Sequence, residues 1–287
     1  MKDIISIYTV DDNARVYVAN TRNLVNQAFN IHQTTAVATA AFGRTLTAGA
    51  IMGAMLKNNT DLLTLSIKGD GPIGGVVATV NNKAQVKGYV HNPIVNIPNK
   101  PNGKLDVSGA IGRGTLTITK DLSLKEPQSG STPLVSGEIA EDITYYYALS
   151  EQIPSSVALG VLVDRDLSIK QAGGYIIQLM PFASEAFIAH LEATIPNIPS
   201  VTNMLEAGQD ILHTLFPRHN IKHHGDITPQ YHCNCSLEKT TKALIAVGKQ
   251  ELMAILEEDG KANLHCHFCK TDYGFDAGDL REMIDGL

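Results

Sequence analysis

The chain contains no tryptophan, few aromatic residues and few positive charges, and each shortage argues against a class of protein. Aromatic residues make up 6% of its 287 residues, so an aromatic platform for stacking nucleic-acid bases is not expected. Its 23 lysines and arginines are outnumbered by 29 acidic residues, which gives a formal net charge of −6. Because phosphate binding needs a basic surface, we expect no nucleic acid among the partners.

The sequence also lacks an uninterrupted hydrophobic run that could cross a membrane. Residues 36–56 come nearest in length, but Arg44 lies near their middle. A central arginine costs roughly 2.5–3.5 kcal/mol on insertion scales, and the many Ala, Gly and Thr residues favour a tightly packed, buried helix instead. The N-terminal residues show no charged-then-apolar leader. We therefore expect a cytoplasmic protein with no membrane partner.

Nucleotide-binding and catalytic motifs are missing as well. Residues 69–74 read GDGPIG and match the dinucleotide-binding pattern G-x-G-x-x-G. That pattern needs a helix to begin at the loop, so that its N-terminus faces the pyrophosphate, whereas a strand-like alternation follows here. A glycine-rich turn between strands is the better interpretation. Since no Walker loop, G-x-S-x-G or H-E-x-x-H motif occurs, we predict neither ATP dependence nor enzymatic activity.

Hydrophobic periodicity divides the chain into three parts. Residues 1–180 mix strand patterns with helical stretches, which predicts an α+β core domain with a large β-sheet and helices. Residues 181–228 contain short amphipathic segments broken by prolines and predict a helical linker, whose helices are too short to be stable without docking. Residues 229–287 contain all the cysteines and predict a small C-terminal zinc domain.

The four cysteines are the most specific signal in the sequence. They form two close pairs, Cys233 with Cys235 and Cys266 with Cys269, separated by thirty residues. Clustered thiols in a reducing compartment are more often metal ligands or redox groups than structural disulfides, and four thiolates complete a tetrahedral zinc site. We therefore predict that all four bind one Zn²⁺ per chain in the reduced state. Three histidines are expected beside the site rather than in it: His232, His265 and His267.

Loss of this metal should unfold the small domain rather than loosen it. A domain of this size rarely draws more than roughly 3–5 kcal/mol from its core. Structural zinc contributes on the order of 10–16 kcal/mol in small zinc domains. Oxidised sulfurs are poor zinc ligands, and proximity favours disulfides within each close pair, which cannot hold the two halves of the domain together. The four cysteines are thus predicted to act as a redox switch that exposes apolar linker surface.

The sequence resembles the redox-regulated 33-kDa heat-shock chaperone family of bacteria over the whole chain. The resemblance rests on the CNC…CHFC arrangement at 233–269 and on KGDGPIGG at 68–75. It rests also on YYYALSEQIPSSVALGV at 145–161 and AGGYIIQLMP at 172–181. The four cysteines match the family pattern without departure.

This resemblance implies an ATP-independent holdase that protects unfolding proteins from aggregation under oxidative stress. It implies a reduced, zinc-bound and inactive monomer that becomes an active homodimer by disulfide formation, zinc release and unfolding of the C-terminal domain and linker. By analogy, Cys266 and Cys269 oxidise first, and Cys233 and Cys235 second. The partners it implies are unfolded client proteins. Five apolar linker residues are candidates for client contacts, although packing in the reduced state would explain them equally well: Phe187, Leu191, Leu205, Leu212 and Phe216.

Two other functions remain open on the residues alone. Cys266 and Cys269 could form the dithiol of a thiol oxidoreductase, although that motif belongs at the start of a helix and the flanking sequence here is strand-like. A structural zinc site in a nucleic-acid-binding protein is the second alternative, against which the net charge of −6 counts.

Overall fold

The computed structural model describes residues 2–287, which form two compact units. The large unit ends at His232, and the small unit comprises residues 233–287. The predicted α+β class, with a large sheet-containing region followed by a small cysteine-bearing region, is confirmed. The three-part domain division remains a prediction.

The large unit contains eleven strands and seven α-helices within the described residues, together with a short π-helix (Tyr147–Glu151) and a short 3₁₀-helix (Ile195–Asn197). The strands are β1 (Ile4–Val10), β2 (Ala14–Asn20), β3 (Leu62–Gly69), β4 (Gly75–Asn81), β5 (Gln85–Val90), β6 (Gly114–Asp121), β7 (Gln128–Pro133), β8 (Ser155–Val163), β9 (Ile169–Leu179), β10 (Ile221–Ile227) and β11 (Gln230–Tyr231). The helices are α1 (Arg22–His32), α2 (Ala36–Gly53), α3 (Val107–Ile111), α4 (Ala140–Tyr146), α5 (Glu185–Thr194), α6 (Val201–Glu206) and α7 (Ile211–Leu215).

Two sheets sandwich one helix in the large unit. The first sheet has the strand order β10-β1-β2-β9-β8, and the second has the order β11-β5-β4-β3-β6-β7. Helix α2 packs on β8 and β9 of the first sheet and on β4 and β5 of the second. Because both of its sides meet a sheet, 16 of its 18 residues are buried.

Small side chains allow α2 to lie this close to its neighbours. A Cβ atom on Gly43 would come within 2.7 Å of Cγ1 of Val25, so a larger residue would force the elements apart. Arg44 reaches out of the apolar interior and pairs with Glu138. The expectation of a buried interior helix is confirmed, and among residues 2–287 no helix is both long and apolar enough to cross a membrane.

The glycine-rich segment at 69–74 forms the connection between β3 and β4, as the sequence predicts. Gly74 has a φ of 72°, a conformation that glycine adopts without steric cost. The N–H of Arg113 donates to the Asp70 carboxylate, which ties this turn to the start of β6. A strand follows the turn, so the helix N-terminus that a dinucleotide site requires is not there.

The short helices of the predicted linker dock on the face of the first sheet opposite α2. Ser184, Ser200 and Asp210 cap the N-termini of α5, α6 and α7 by accepting hydrogen bonds from backbone N–H groups. Four of the five candidate client contacts are buried there and Leu205 is half-buried. In this structure the five residues therefore pack against the sheet, as expected if their role in the reduced state is structural. They contact apolar side chains of β1, β2 and β9: Val10, Val16, Tyr175 and Ile177.

The last part of the linker departs from the helical prediction. Residues Ile221–Ile227 form β10, which pairs antiparallel with β1 and extends the first sheet. The segment reads IKHHGDI, and its polar residues hide the alternation typical of a strand. Pairing with the open edge of β1 supplies the backbone hydrogen bonds that this local pattern does not predict.

The small unit contains three helices and one hairpin. They are α8 (Leu237–Ile245), α9 (Lys249–Glu258), β12 (Ala262–His265), β13 (Asp272–Phe275) and α10 (Ala277–Asp285). Gly248, with a φ of 97°, joins α8 to α9. Six buried apolar side chains form the core: Leu244, Leu252, Phe275, Leu280, Met283 and Ile284. Two of the six lie on α8 and α9, and the other four lie on β13 and α10.

Candidate metal centre

The four cysteines lie on two loops of the small unit. Cys233 and Cys235 precede α8, whose N-terminus is capped by the Ser236 hydroxyl. Cys266 and Cys269 lie in the turn between β12 and β13. The N–H of Cys266 donates to the carbonyl of Thr271 at 2.9 Å, which closes that turn.

The four sulfur atoms converge on one point. All of them lie within 4.8 Å of one another. The Sγ atoms of Cys233 and Cys266 are 3.7 Å apart, and those of Cys235 and Cys269 are 3.2 Å apart. In a tetrahedral zinc site with Zn–S bonds of about 2.3 Å, neighbouring sulfurs lie about 3.8 Å apart. The cysteine cluster is therefore positioned to bind a metal ion, and its all-sulfur donor set suits zinc.

The four thiols are free in this structure and differ in acidity. Within the described residues none of the four is in a disulfide. Burial raises the pKa of Cys233 to about 12 and raises that of Cys235 as well. At Cys269 burial also opposes the thiolate, but hydrogen bonds with Thr271 and Cys235 outweigh it and lower the pKa to about 6. Cys269 thus has a pKa that favours the thiolate, which is the form that binds metal and reacts with oxidants.

Two hydroxyl groups of the hairpin contact the sulfurs. The Tyr273 hydroxyl donates to Sγ of Cys235 at 3.1 Å, and the Thr271 Oγ1 lies 3.2 Å from Sγ of Cys269. The hydrogen bond to Cys235 raises the pKa of Tyr273 to about 12. A donor such as the Tyr273 hydroxyl orients a metal ligand and stabilises its negative charge. Neither residue was among the predicted site residues, although Thr271 follows Cys269 by two positions and Tyr273 follows it by four.

Histidine does not join the cluster in the part of the chain that the structure describes. The group able to hold a metal ion consists of the four cysteines. His265 instead pairs with Asp272 across the hairpin through Nδ1 and Oδ1, 2.7 Å apart. Its ring lies 6.0 Å from that of His267, centroid to centroid.

Comparison with known proteins gives a consistent result over nearly the whole chain. The sequence model of the family described as Hsp33 protein matches residues 3–276. A 33 kDa chaperonin of Clostridioides difficile is 50% identical over 274 residues, which cover 94% of this chain and 94% of that protein. A 33 kDa chaperonin of Lachnoclostridium phytofermentans is 45% identical over 284 residues, or 98% of this chain and 97% of the relative.

A solved structure is similar in fold along the full length. The crystal structure of the 33 kDa chaperonin, a heat shock protein 33 homolog, from Thermotoga maritima superposes with a TM-score of 0.92. It is 37% identical to this chain, and the match covers 100% of this chain and 99% of that one.

Proposed function

The chain belongs to the Hsp33 protein family, and on that premise we propose that it is a redox-regulated holdase which protects unfolding proteins under oxidative stress. Membership of a family of chaperonins supports a chaperone function and the binding of unfolded clients. The observation that carries the regulatory part is the convergence of four reduced thiols within 4.8 Å on two loops of a small unit.

The proposed cofactor is one Zn²⁺, held by Cys233, Cys235, Cys266 and Cys269. When bound, the metal would link the loop before α8 to the hairpin between β12 and β13. The six buried apolar side chains of the small unit form a core too limited to hold 55 residues folded without such a link. Removal of the metal should therefore unfold the unit.

The proposed trigger is oxidation of the thiols. Two cysteine thiols and one hydrogen peroxide yield one disulfide and two waters, so the thiols lose two electrons and two protons and the peroxide is reduced. We expect hypochlorite to oxidise the thiols as well. We expect disulfides Cys266–Cys269 and then Cys233–Cys235, each formed within one loop. Such pairs leave the two loops unlinked, so zinc is released and the unit unfolds.

The proposed active state exposes the linker, residues 181–228, as well. The apolar side chains of α5, α6 and α7 now cover the first sheet, and unfolding would expose both surfaces to clients. We expect this state to be a homodimer in the cytoplasm, to need no ATP, to bind neither membranes nor nucleic acid, and to have no enzymatic activity. Clients would then pass to ATP-dependent foldases.

A client-aggregation assay tests the proposal. Light scattering of thermally unfolding luciferase is recorded with the reduced zinc protein, with protein treated with peroxide at elevated temperature, and with treated protein that has been reduced again in the presence of zinc. Suppression by the oxidised form alone supports the proposal. Equal suppression by all three forms, or by none, contradicts it. Reduction of insulin with repeated turnover would instead indicate a thiol oxidoreductase.

A further inference from the structure

The strand β8 ends the first sheet, and one of its sides has no neighbouring strand. Strand order places β9 on one side of β8 and nothing on the other within residues 2–287. In an antiparallel pair the backbone groups of alternate residues point toward and away from the partner strand. The N–H of Val157 donates to the Thr144 hydroxyl rather than to β9, so Val157 points away. By alternation, Leu159 and Val161 point away as well.

The outward backbone groups of β8 are satisfied at its beginning and open farther along. The hydroxyl oxygen of Thr144, on α4, accepts a hydrogen bond from the N–H of Val157 at an N–O distance of 3.2 Å. In the described part of the chain, the N–H groups of Leu159 and Val161 have no hydrogen-bond partner. The strand reads SSVALGVLV, with no charge and no proline. An edge of this kind can pair with another extended chain.

The other edges of the two sheets of the large unit carry features that discourage such pairing. Strand β10 contains Lys222 and Asp226 and has a register shift opposite β1. Strand β7 reads QSGSTP and ends in proline, and β11 is two residues long. Charges, proline, irregular register and short length are the usual means by which proteins protect sheet edges. Among the edges of the two sheets of the large unit, β8 is thus the one suited to accept a strand.

Helix α6 of the linker packs against the face of β8 and β9, close to one glycine in each strand. A Cβ on Gly160 would come within 2.7 Å of Cγ2 of Thr202, and a Cβ on Gly173 within 2.8 Å of Cδ1 of Leu205. The absence of side chains at these positions lets α6 approach the sheet closely. If α6 leaves, the outer face of β8 and β9 becomes flat and open beside the unpaired backbone groups.

From these observations we infer that β8 binds unfolded clients by strand addition, pairing the backbone of an extended client segment with Leu159 and Val161. The partner is a stretch of unfolded polypeptide rich in β-branched or apolar residues, whose own backbone groups are unpaired. Backbone pairing is independent of client sequence, which suits a chaperone. Release of α6 would expose the adjoining face of β8 and β9 to the side chains of the bound segment. This inference rests on the proposed function and assigns the client-binding mode within it.

A pair of peptides tests the pairing directly. The probes are a fluorescent ten-residue peptide of alternating valine and threonine flanked by lysines, and the same peptide N-methylated at four consecutive central residues, so that neither of its edges pairs fully. The oxidised full-length protein should bind the methylated peptide at least tenfold more weakly. Equal affinity for both peptides, in a protein that still suppresses luciferase aggregation, overturns strand addition and leaves the holdase function standing. Failure of the oxidised protein to suppress aggregation overturns both.

Two protein variants and one exchange measurement localise the site. Leu159→Pro removes the outward N–H, whereas Leu159→Ala shortens the side chain and keeps the donor. The oxidised proline variant should bind the unmethylated peptide roughly two- to tenfold more weakly than the alanine variant, the value of one hydrogen bond. In the wild type, the peptide should slow amide exchange at Leu159 and Val161 and leave that of Gly160, which faces β9, unchanged. Unaltered exchange at all three amides overturns the assignment, even if the proline variant does not fold.

Discussion

Replacing Tyr273 by phenylalanine tests how far the hairpin supports the sulfur cluster. The substitution removes the hydroxyl that donates to Sγ of Cys235 at 3.1 Å and keeps the ring on β13. Loss of a hydrogen bond to a metal ligand typically weakens metal binding by roughly 10- to 100-fold. Because the Tyr273 side chain is only half-buried, water can partly replace the hydroxyl. We therefore expect the lower end, about tenfold weaker zinc binding.

Competition with a chromophoric chelator at fixed pH measures this affinity in the reduced full-length protein. Tyr145→Phe is the matched control, because Tyr145 lies in α4 of the large unit and should leave zinc affinity unchanged. Zinc affinity equal to wild type in Tyr273→Phe would refute the reasoning that this hydroxyl stabilises the Cys235 thiolate. A loss equal to that caused by removing a cysteine would refute it too, since it would indicate collapse of the hairpin.

Three further predictions concern the metal link, the large unit and the linker. Cys266→Ser should abolish stable zinc binding and remove the helical far-UV circular dichroism of α8, α9 and α10, and an unchanged spectrum would contradict the proposed dependence on metal. Glu138 has its pKa lowered to about 2, because hydrogen bonds from Lys100 and Arg44 outweigh burial. The contribution of the ionised Glu138 to stability should therefore be complete above about pH 4.5 and lost as the pH falls toward 2. Glu138→Gln should lower the free energy of unfolding by about 2–3 kcal/mol in urea titrations at pH 7. The same substitution should make the free energy of unfolding less dependent on pH in this acid range. Gly160→Ala should loosen α6 and speed the cleavage of α6 in limited proteolysis of the reduced protein. The double variant Gly160→Ala, Thr202→Ala should be cleaved more slowly than Gly160→Ala alone, because the shorter side chain at position 202 makes room for the added methyl group. Equal cleavage of the wild type and both variants would contradict the close contact.

The sequence predicted the features that depend on local pattern and ligand spacing. The strands β1 and β2, the buried helix α2 and the turn at 69–74 follow from alternation, small-residue content and glycine placement. The two cysteine pairs predicted a metal centre because four soft ligands at that spacing have few other uses in a reducing compartment. The structure places their sulfurs together.

What the sequence did not predict depends on contacts between distant parts of the chain. Strand β10 forms because β1 offers an open edge, and its residues alone give a weak signal. The roles of Tyr273 and Thr271 become visible only when the hairpin folds over the thiols. The unpaired groups of β8 follow from its terminal place in the strand order, which no local pattern specifies.

We propose above all that the four cysteines hold the small unit folded through a metal that oxidation removes. The most direct measurement records zinc release and far-UV helicity together while the reduced full-length protein is treated with peroxide. We predict release of one zinc per chain with simultaneous loss of the helical signal of α8, α9 and α10. Zinc release with retained helicity, or disulfide formation with zinc still bound, would contradict it.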